Sequence, residues 1–317
     1  MGRVFDPTNI KGKKWLKEFA QAPETLIFDD FIRIFFACRP NRDKKTGHYT
    51  SYTSFVDVKK NNFLEIIKLS KNPVLSLGEK GTFDEFGTYP TSVQRDGERL
   101  VCYYGGWTRC LSVPFNVGIG KAYSYDQGKT FKKVGNGGPI LPYTPSEPFI
   151  VSGPKIRRFN NKWFLFYIAG EKWILDQNKP EPVYKIKLAI SEDGKKWKKI
   201  NKNLINPVLE LNEAQASPDV IYWKDKYHMF FCYRFSKNYR NNDRGYRIGY
   251  AYSHDLINWK RDDKKVGIKI SSNKSFDDQS IAYPHVFKVG NNIHMLYLGN
   301  HVGKRGFGWA KLVDYKV

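Results

Sequence analysis

The chain has 317 residues, with 53 Lys+Arg against 31 Asp+Glu and a formal charge of +22. Hydrophobic residues make up 41% and charged residues 26%, an ordinary globular balance, and no apolar run approaches the roughly 20 residues of a membrane span. Integral membrane proteins, coiled coils and disordered chains are thereby excluded, while 16% aromatics with 26 Gly and 16 Pro point to many short strands and turns.

In chain order, the N-terminal MGRVFDPTNIKGKKW has no apolar core of a secretory signal. APETLIFDDFIRIFFACRP then begins a series. It starts with Pro23 and has an apolar strand, a polar turn at Asp29-Asp30 and a second, aromatic-rich strand. YPTSVQRDGERLVCYYGGW repeats it from Pro90 with a turn at Asp96-Gly97, and GPKIRRFNNKWFLFYIAGE from Pro154 with Asn160-Asn161. SPDVIYWKDKYHMFFCYRF follows from Pro218 with Lys224-Asp225, and YPHVFKVGNNIHMLYLGNH from Pro284 with Gly290-Asn291. The prolines are 67, 64, 64 and 66 residues apart, and each segment reads as a β-hairpin.

A second half-repeat lies between them. GIGKAYSYDQGKTFKKV, KIKLAISEDGKKWKKI and RIGYAYSHDLINWKRD each give strand, turn, strand, and YTSYTSFVDVKKNNFLEI is a looser first copy. Four antiparallel strands in about 65 residues, five times over, predict an all-β, five-bladed propeller as a single domain over residues 1–317. Blades are expected near 23–80, 88–145, 152–210, 217–275 and 283–317. The last unit is one strand short, so the N-terminus around Arg3-Val4-Phe5 should complete it and close the ring. A β-sandwich or an open array are the alternatives, and an array would need polar caps that are not evident. Phe131, Trp197 and Trp259 hold matched positions and read as core.

In a four-stranded meander the start of strand one and the end of strand two share one end of the blade. The residue 16 after each proline is Arg39, Gly106, Gly170, Arg234 or Asn300, followed by Pro40, Trp107, Glu171, Phe235 or His301. Acids precede four of the prolines by five to seven residues: Asp84, Glu147, Glu213 and Asp278. Directly after the prolines stand Glu24, Thr91, Lys155, Asp219 and His285. The register predicts that Asp84, Glu147, Glu213 and Asp278 converge on one axial mouth with Arg39, Trp107, Arg109, Glu171, Trp173, Arg234, His285 and His301. Opposed carboxylates are what glycosidic cleavage uses, and arginines with aromatic faces suit sugar hydroxyls and carboxylates. The plainer reading is that these acids make side-chain turns or cap loops, that the arginines pair with them, and that Glu171 ends a strand beside Trp173. No histidine pair has ligand spacing, so neither metal nor cofactor is expected.

The lysines are scattered in turns such as Lys195-Lys196 and Lys264-Lys265, which favours a solvated basic surface first, an anionic partner second and no nucleic acid. Cys38, Cys102 and Cys232 lie in apolar strand-like runs and Cys110 stands apart. Reduced thiols and a cytoplasmic location are the expectation.

SPDVIYWKDKYHMFFCYR, SHDLINW and YPHVFKVGNNIHMLYLGN resemble the five-bladed propeller glycosidases: the arabinanase and β-xylosidase-like, invertase-like and β-mannoside phosphorylase families. FDEFGTYP, YYGGW, KPEPVYKI and FDDQSIAYPHV look closer still to uncharacterised propellers associated with bacterial surface-glycan synthesis. That resemblance implies an Asp on blade one, an Asp on blade two and a Glu on blade three. Asp84 and Glu147 match best, while blade one offers only Asp6-Pro7 or Glu24 and lacks the invertase-like Asn-Asp-Pro-Asn. Ser124, Asp126, Gly128 and Thr130 resemble the sialidase Asp-box, a structural turn.

Two functions follow as expectations. One is an enzyme of surface-polysaccharide metabolism that hydrolyses, phosphorolyses or transfers a glycosidic bond, with Glu147 or Glu213 as acid, Asp84 as base or stabiliser, and Arg39, Arg109 and Arg234 available for phosphate. The other is a non-hydrolytic protein that binds a glycan or nucleotide sugar. The fold alone does not choose between them.

Overall fold

A computed structural model describes residues 2–135, 138–240 and 243–313. Five four-stranded antiparallel sheets follow one another along the chain. Blade one is β2 (Glu18–Ile27), β3 (Phe31–Arg39), β4 (Tyr52–Lys59) and β5 (Asn62–Leu69). Blade two is β6 (Gly87–Asp96), β7 (Arg99–Arg109), β8 (Phe115–Ser124) and β9 (Lys132–Lys133). Blade three is β10 (Phe149–Phe159), β11 (Lys162–Asp176), β12 (Lys179–Ser191) and β13 (Lys198–Lys199). Blade four is β14 (Ala214–Trp223), β15 (Lys226–Arg234), β16 (Arg247–Ser253) and β17 (Lys260–Arg261). Blade five is β18 (Ala282–Val289), β19 (Asn292–Leu298) and β20 (Phe307–Lys311), and its fourth strand is β1 (Gly2–Phe5), antiparallel to β20 with Gly2 opposite Trp309. This is the closure expected around Arg3-Val4-Phe5. Residues 136–137 of the expected second blade, 241–242 of the fourth and 314–317 of the fifth lie outside the described residues.

The first hairpins are short because their turn residues accept left-handed backbone. Asn160 and Asn161 take φ 49° and 62°, and Lys224 and Asp225 take 47° and 59°, as two-residue turns that match strand twist require. The prolines do not start the strands as the sequence suggested; they sit inside strand one. Every strand-one ladder breaks there, between Gln21 and Glu24, Thr88 and Thr91, Ser152 and Lys155, Ala216 and Asp219, and Ala282 and His285. Proline has no N–H for the ladder, and in four blades the residue before it has positive φ: Ala22, Gly153, Ser217 and Tyr283. The resulting bulge is what delivers the next residue to the axis.

Apolar side chains fill the seams between blades. Phe35, Leu100, Cys102 and Phe131 pack between blades one and two, and Val101, Tyr103, Leu165 and Ala189 between two and three. Trp197 meets Tyr103 edge-on at 5.7 Å and Trp259 packs on the cluster around Phe166, so the matched aromatics are core as expected. Among the described residues no helix is long and apolar enough to cross a membrane. All four cysteines are free thiols, with Cys110 exposed and the others buried.

Candidate functional site

The acids ahead of the prolines turn into the blades. Asp84 is fully buried, accepts from the Tyr104 hydroxyl (2.8 Å) and Thr82 Oγ1 (3.0 Å), and pairs with Lys133 Nζ (2.5 Å). Glu147 accepts from the Tyr167 hydroxyl at 2.9 and 3.0 Å and pairs with Lys199. Glu213 accepts the amides of Val208 and Leu209 (3.0 Å each), Gln215 Nε2 (2.9 Å) and Arg261 Nη1 (2.7 Å). In blade five Asp277 takes the Tyr297 hydroxyl (2.8 Å), and its neighbour Asp278 accepts from Asn300 (2.6 Å). In blades two and three the acid thus ties a tyrosine of the second strand to a lysine of the fourth. Burial first, and the carboxylate beside each next, push the Tyr104 and Tyr167 hydroxyls far up, so they remain donors.

The predicted convergence of Asp84, Glu147, Glu213 and Asp278 on the mouth is therefore corrected: none of the four lines the mouth cavity. Five to seven residues before the bulge, the chain still runs over its own blade. Glu171 also points elsewhere, accepting from Asn203 (2.9 Å) at a side groove. Trp173 packs on Phe115 and Phe149 and is likewise not in the cavity wall.

The residues directly after the prolines do meet. Glu24, Lys155, Asp219 and His285, from four blades, form a buried cluster that Arg157 joins from blade three. Lys155 pairs with Glu24 and lies 3.7 Å from Asp219, and Arg157 bonds both carboxylates. His285 Nδ1 is 2.7 Å from Asp219 Oδ2, while its Nε2 receives the Thr25 amide at 3.0 Å. Blade two contributes Ser92, whose hydroxyl donates to Glu24 (3.1 Å). Burial alone would raise both carboxyls, but Lys155, His285 and Arg157 hold Glu24 well below its usual range, and Arg157, Lys155 and His285 hold Asp219 below its own. Glu24, Asp219 and His285 bring three ligand atoms within 4.8 Å, a grouping that their scattered sequence positions concealed. Lys155 and Arg157 already supply the positive charge there, so the donor set suits protein cations better than a metal ion.

Above this floor opens a cavity of about 710 Å³. Arg39, Trp107, Arg109, Arg234 and His301 line it, whereas His285 lies in the cluster below. Among the described residues the wall holds five arginines and two lysines, of which Lys155 is paired with Glu24 below, against one carboxylate, Glu181. Sequence reading missed Arg42, Glu181 and Arg240, which lie on a loop or on the long β11–β12 hairpin beyond the repeat register. Glu181 is spoken for: it accepts from the Tyr239 hydroxyl (2.7 Å) and Arg240 (2.6 Å). Arg234, fully buried, donates to the Pro182 carbonyl (3.1 Å) and the Phe235 carbonyl (2.8 Å), and its guanidinium stacks 3.7 Å from the Tyr239 ring centre. Phenols continue the wall: Tyr184 to Tyr246 at 2.5 Å, and Tyr89 to Tyr283 at 3.0 Å. Burial raises Tyr89 to about 12, with Arg39 pulling the other way, so it faces the cavity as a neutral phenol. Gln21 Oε1 and Arg39 Nε are buried without hydrogen-bond partners among the described residues, an acceptor and a donor left open at the cavity.

In fold, this ring is similar to solved glycosidic enzymes. A glycoside hydrolase superposes with a TM-score of 0.75 at 18% identity, over 98% of this chain and 90% of that one. A structure from work on the GH130 family of mannoside phosphorylases, with hydrolases targeting β-1,2 mannosidic linkages in Candida mannan, gives 0.68 at 14% over 98% and 94%. In sequence, the chain is 29% identical to the uncharacterised protein Rv1502 of Mycobacterium tuberculosis over 313 residues, 98% of both chains. It is also 29% identical to a β-1,2-mannobiose phosphorylase of Thermoanaerobacter over 127 residues, 37% of this chain and 39% of that enzyme. No family model matches the chain.

Proposed function

We propose that the protein binds a negatively charged carbohydrate in the axial mouth, and that two-carboxylate glycoside hydrolysis is not its chemistry. The observation that carries this reading is the wall itself: among the described residues, five cations besides Lys155 and Arg240, which are paired with Glu24 and Glu181, a ring of aromatic side chains and no free carboxylate, Glu181 being engaged by Arg240 and Tyr239. Glycosidic hydrolysis of the usual kind needs two free carboxyls across the bond, roughly 5–5.5 Å or 6.5–9.5 Å apart. The catalytic roles expected for Asp84, Glu147 and Glu213 are not carried into the proposal, because their oxygens hold the blades together. Aromatic faces and the open Gln21 and Arg39 atoms suit sugar rings and hydroxyls, and the arginines suit an acidic sugar or a nucleotide sugar. A place in surface-polysaccharide metabolism, implied by the sequence resemblance, and a cytoplasmic location, expected from the free thiols, belong to the same reading.

One observation favours a second reading. The basic wall, with the partial likeness to a phosphorylase, supports cleavage by phosphate as external nucleophile. Both are tested by incubating the protein with neutral and acidic oligosaccharides and nucleotide sugars, with and without phosphate. Calorimetry reads binding and mass spectrometry reads products. Acidic ligands binding unchanged support the first reading, and a sugar phosphate formed only with added phosphate supports the second. Turnover in plain buffer to a hydrolysed sugar would refute the central claim.

A further inference from the structure

Three guanidinium groups meet around one side of the mouth. Arg39 ends β3, Arg42 and Tyr49 lie on the loop that follows, and Arg109 ends β7 of the next blade. The Arg39 and Arg42 groups lie 5.1 and 4.8 Å from the Tyr49 ring centre, and Arg109 Nη2 donates to the Tyr49 carbonyl at 3.2 Å. Arg39 is further enclosed by Phe19 (4.5 Å) and Trp107 (5.3 Å), and its buried Nε has no partner among the described residues. The acids nearby spend their hydrogen bonds elsewhere, although Asp43 also feels the charge of Arg109. Glu18 accepts the Tyr49 hydroxyl (2.9 Å) and pairs with Lys304 (3.4 Å), and Asp43 accepts the Lys45 and Thr46 amides (2.9 and 2.7 Å). Among the described residues none of the three arginines forms an ion pair within 4.0 Å. Burial, with Arg42 as a like charge alongside, already disfavours the charged form of Arg39. Like charges gathered against an aromatic wall repel one another, and an anion is the partner that turns this into attraction.

We propose that Arg39, Arg42 and Arg109 form a subsite for a phosphoryl group, carried by the carbohydrate in the mouth or bound beside it as free phosphate. A carboxylate matches one guanidinium fork, whereas a phosphoryl group offers three oxygens and up to two charges to several forks at once. The remaining cavity volume leaves room for a sugar against Trp107 and Tyr89. The proposal rests on the anionic-carbohydrate reading above and names the anion.

The test is calorimetry and thermal shift on the full chain with inorganic phosphate, a hexose 1-phosphate, a nucleoside-diphosphate hexose, an acidic oligosaccharide without phosphate and neutral oligosaccharides. Phosphoryl probes should bind and raise the melting temperature, more so at low salt. Arg42→Gln and Arg109→Gln should each weaken them at least tenfold and weaken neutral oligosaccharides far less. These two variants carry the test, because Arg39 is packed among rings and its loss threatens folding. Equal affinity for phosphate and hexose 1-phosphate identifies the free ion as the source, and tenfold tighter hexose 1-phosphate identifies a phosphorylated sugar. Phosphoryl probes that bind no better than neutral sugar, or as tightly to both variants as to the wild type, overturn the subsite. If the acidic oligosaccharide binds and the phosphoryl probes do not, the subsite falls and the anionic-carbohydrate reading stands; if only neutral oligosaccharides bind, or no probe binds, both fall.

Discussion

At the axis, Glu24 and Asp219 face Lys155 and Arg157, and each carboxylate oxygen has a cation or a donor within reach. In the mouth, Arg39, Arg42 and Arg109 crowd one tyrosine without an ion-pair partner among the described residues. Blade one gives a residue to each group, Glu24 from β2 and Arg39 from β3, yet one group is charge-closed and the other charge-open. A closed buried cluster fixes the blades relative to one another, while an open one leaves an electrostatic deficit that a ligand can fill. The pairing of a charge, more than its presence near the axis, separates scaffold from site here.

The comparison is most easily broken at the axis. Asp219→Ala strips Arg157, Lys155 and His285 of a shared partner, and it should cost about 3–5 kcal/mol by urea unfolding. Arg42→Gln removes an unpaired surface charge and should stay within about 0.5 kcal/mol of the wild type. Similar losses for both would erase the distinction. Next in size, Glu147→Gln keeps the shape but leaves Lys199 opposite a neutral amide. A loss of about 1–3 kcal/mol is expected, with ligand binding at the mouth unchanged. A binding defect without a stability loss would return Glu147 to the site.

Acid sharpens the same contrast. The Glu24 and Asp219 carboxyls are held below their usual range in the folded protein, so the unfolded chain binds protons first as pH falls. Their contribution is complete above about pH 5 and is lost as pH drops through about 4 and below. Melting temperature followed from pH 7 to 3 should fall steeply at the acid end, and Asp219→Asn should flatten that fall. A parallel curve for the variant would locate the acid sensitivity elsewhere. Among the acids, the smallest loss is expected far from the axis. Asp255 accepts the Ile257 and Asn258 amides (2.9 and 2.7 Å) in its turn, so Asp255→Ala should lower stability by only about 1 kcal/mol in thermal denaturation.

The repeat told most of the fold. Proline spacing, Asn-Asn and Asp-Gly turns and aromatic second strands fix five hairpins, and the missing strand pointed to Arg3-Val4-Phe5. The Ser124–Asp126 turn also closes as its pattern implied, with Ser124 Oγ donating to Asp126 (2.7 Å) and Thr130 to the same carboxylate. The site was legible only in part. Strand ends in register gave Arg39 and Arg234, because two strands stop where the spacing says. The acids misled because sequence offset does not show whether a loop residue points inward or back over its own blade. Tyr104 and Tyr167 were the missing signal: a buried phenol on strand two needs a partner, and the preceding acid is the nearest one. Glu181 and Arg240 were invisible for another reason, since the β11–β12 extension and the blade-four loop obey no repeat.

Closure by β1 also has a kinetic consequence. Most hairpins here join neighbours in the chain, but Gly2 must find Trp309, at the far end of the sequence. Contacts of such separation are slow to form because a long loop has to close first. The opening strand therefore waits unpaired during synthesis until β20 has left the ribosome, and blade five completes last. The same seam is the natural place for unfolding to start, so substitutions in the first five residues should speed unfolding more than they slow folding.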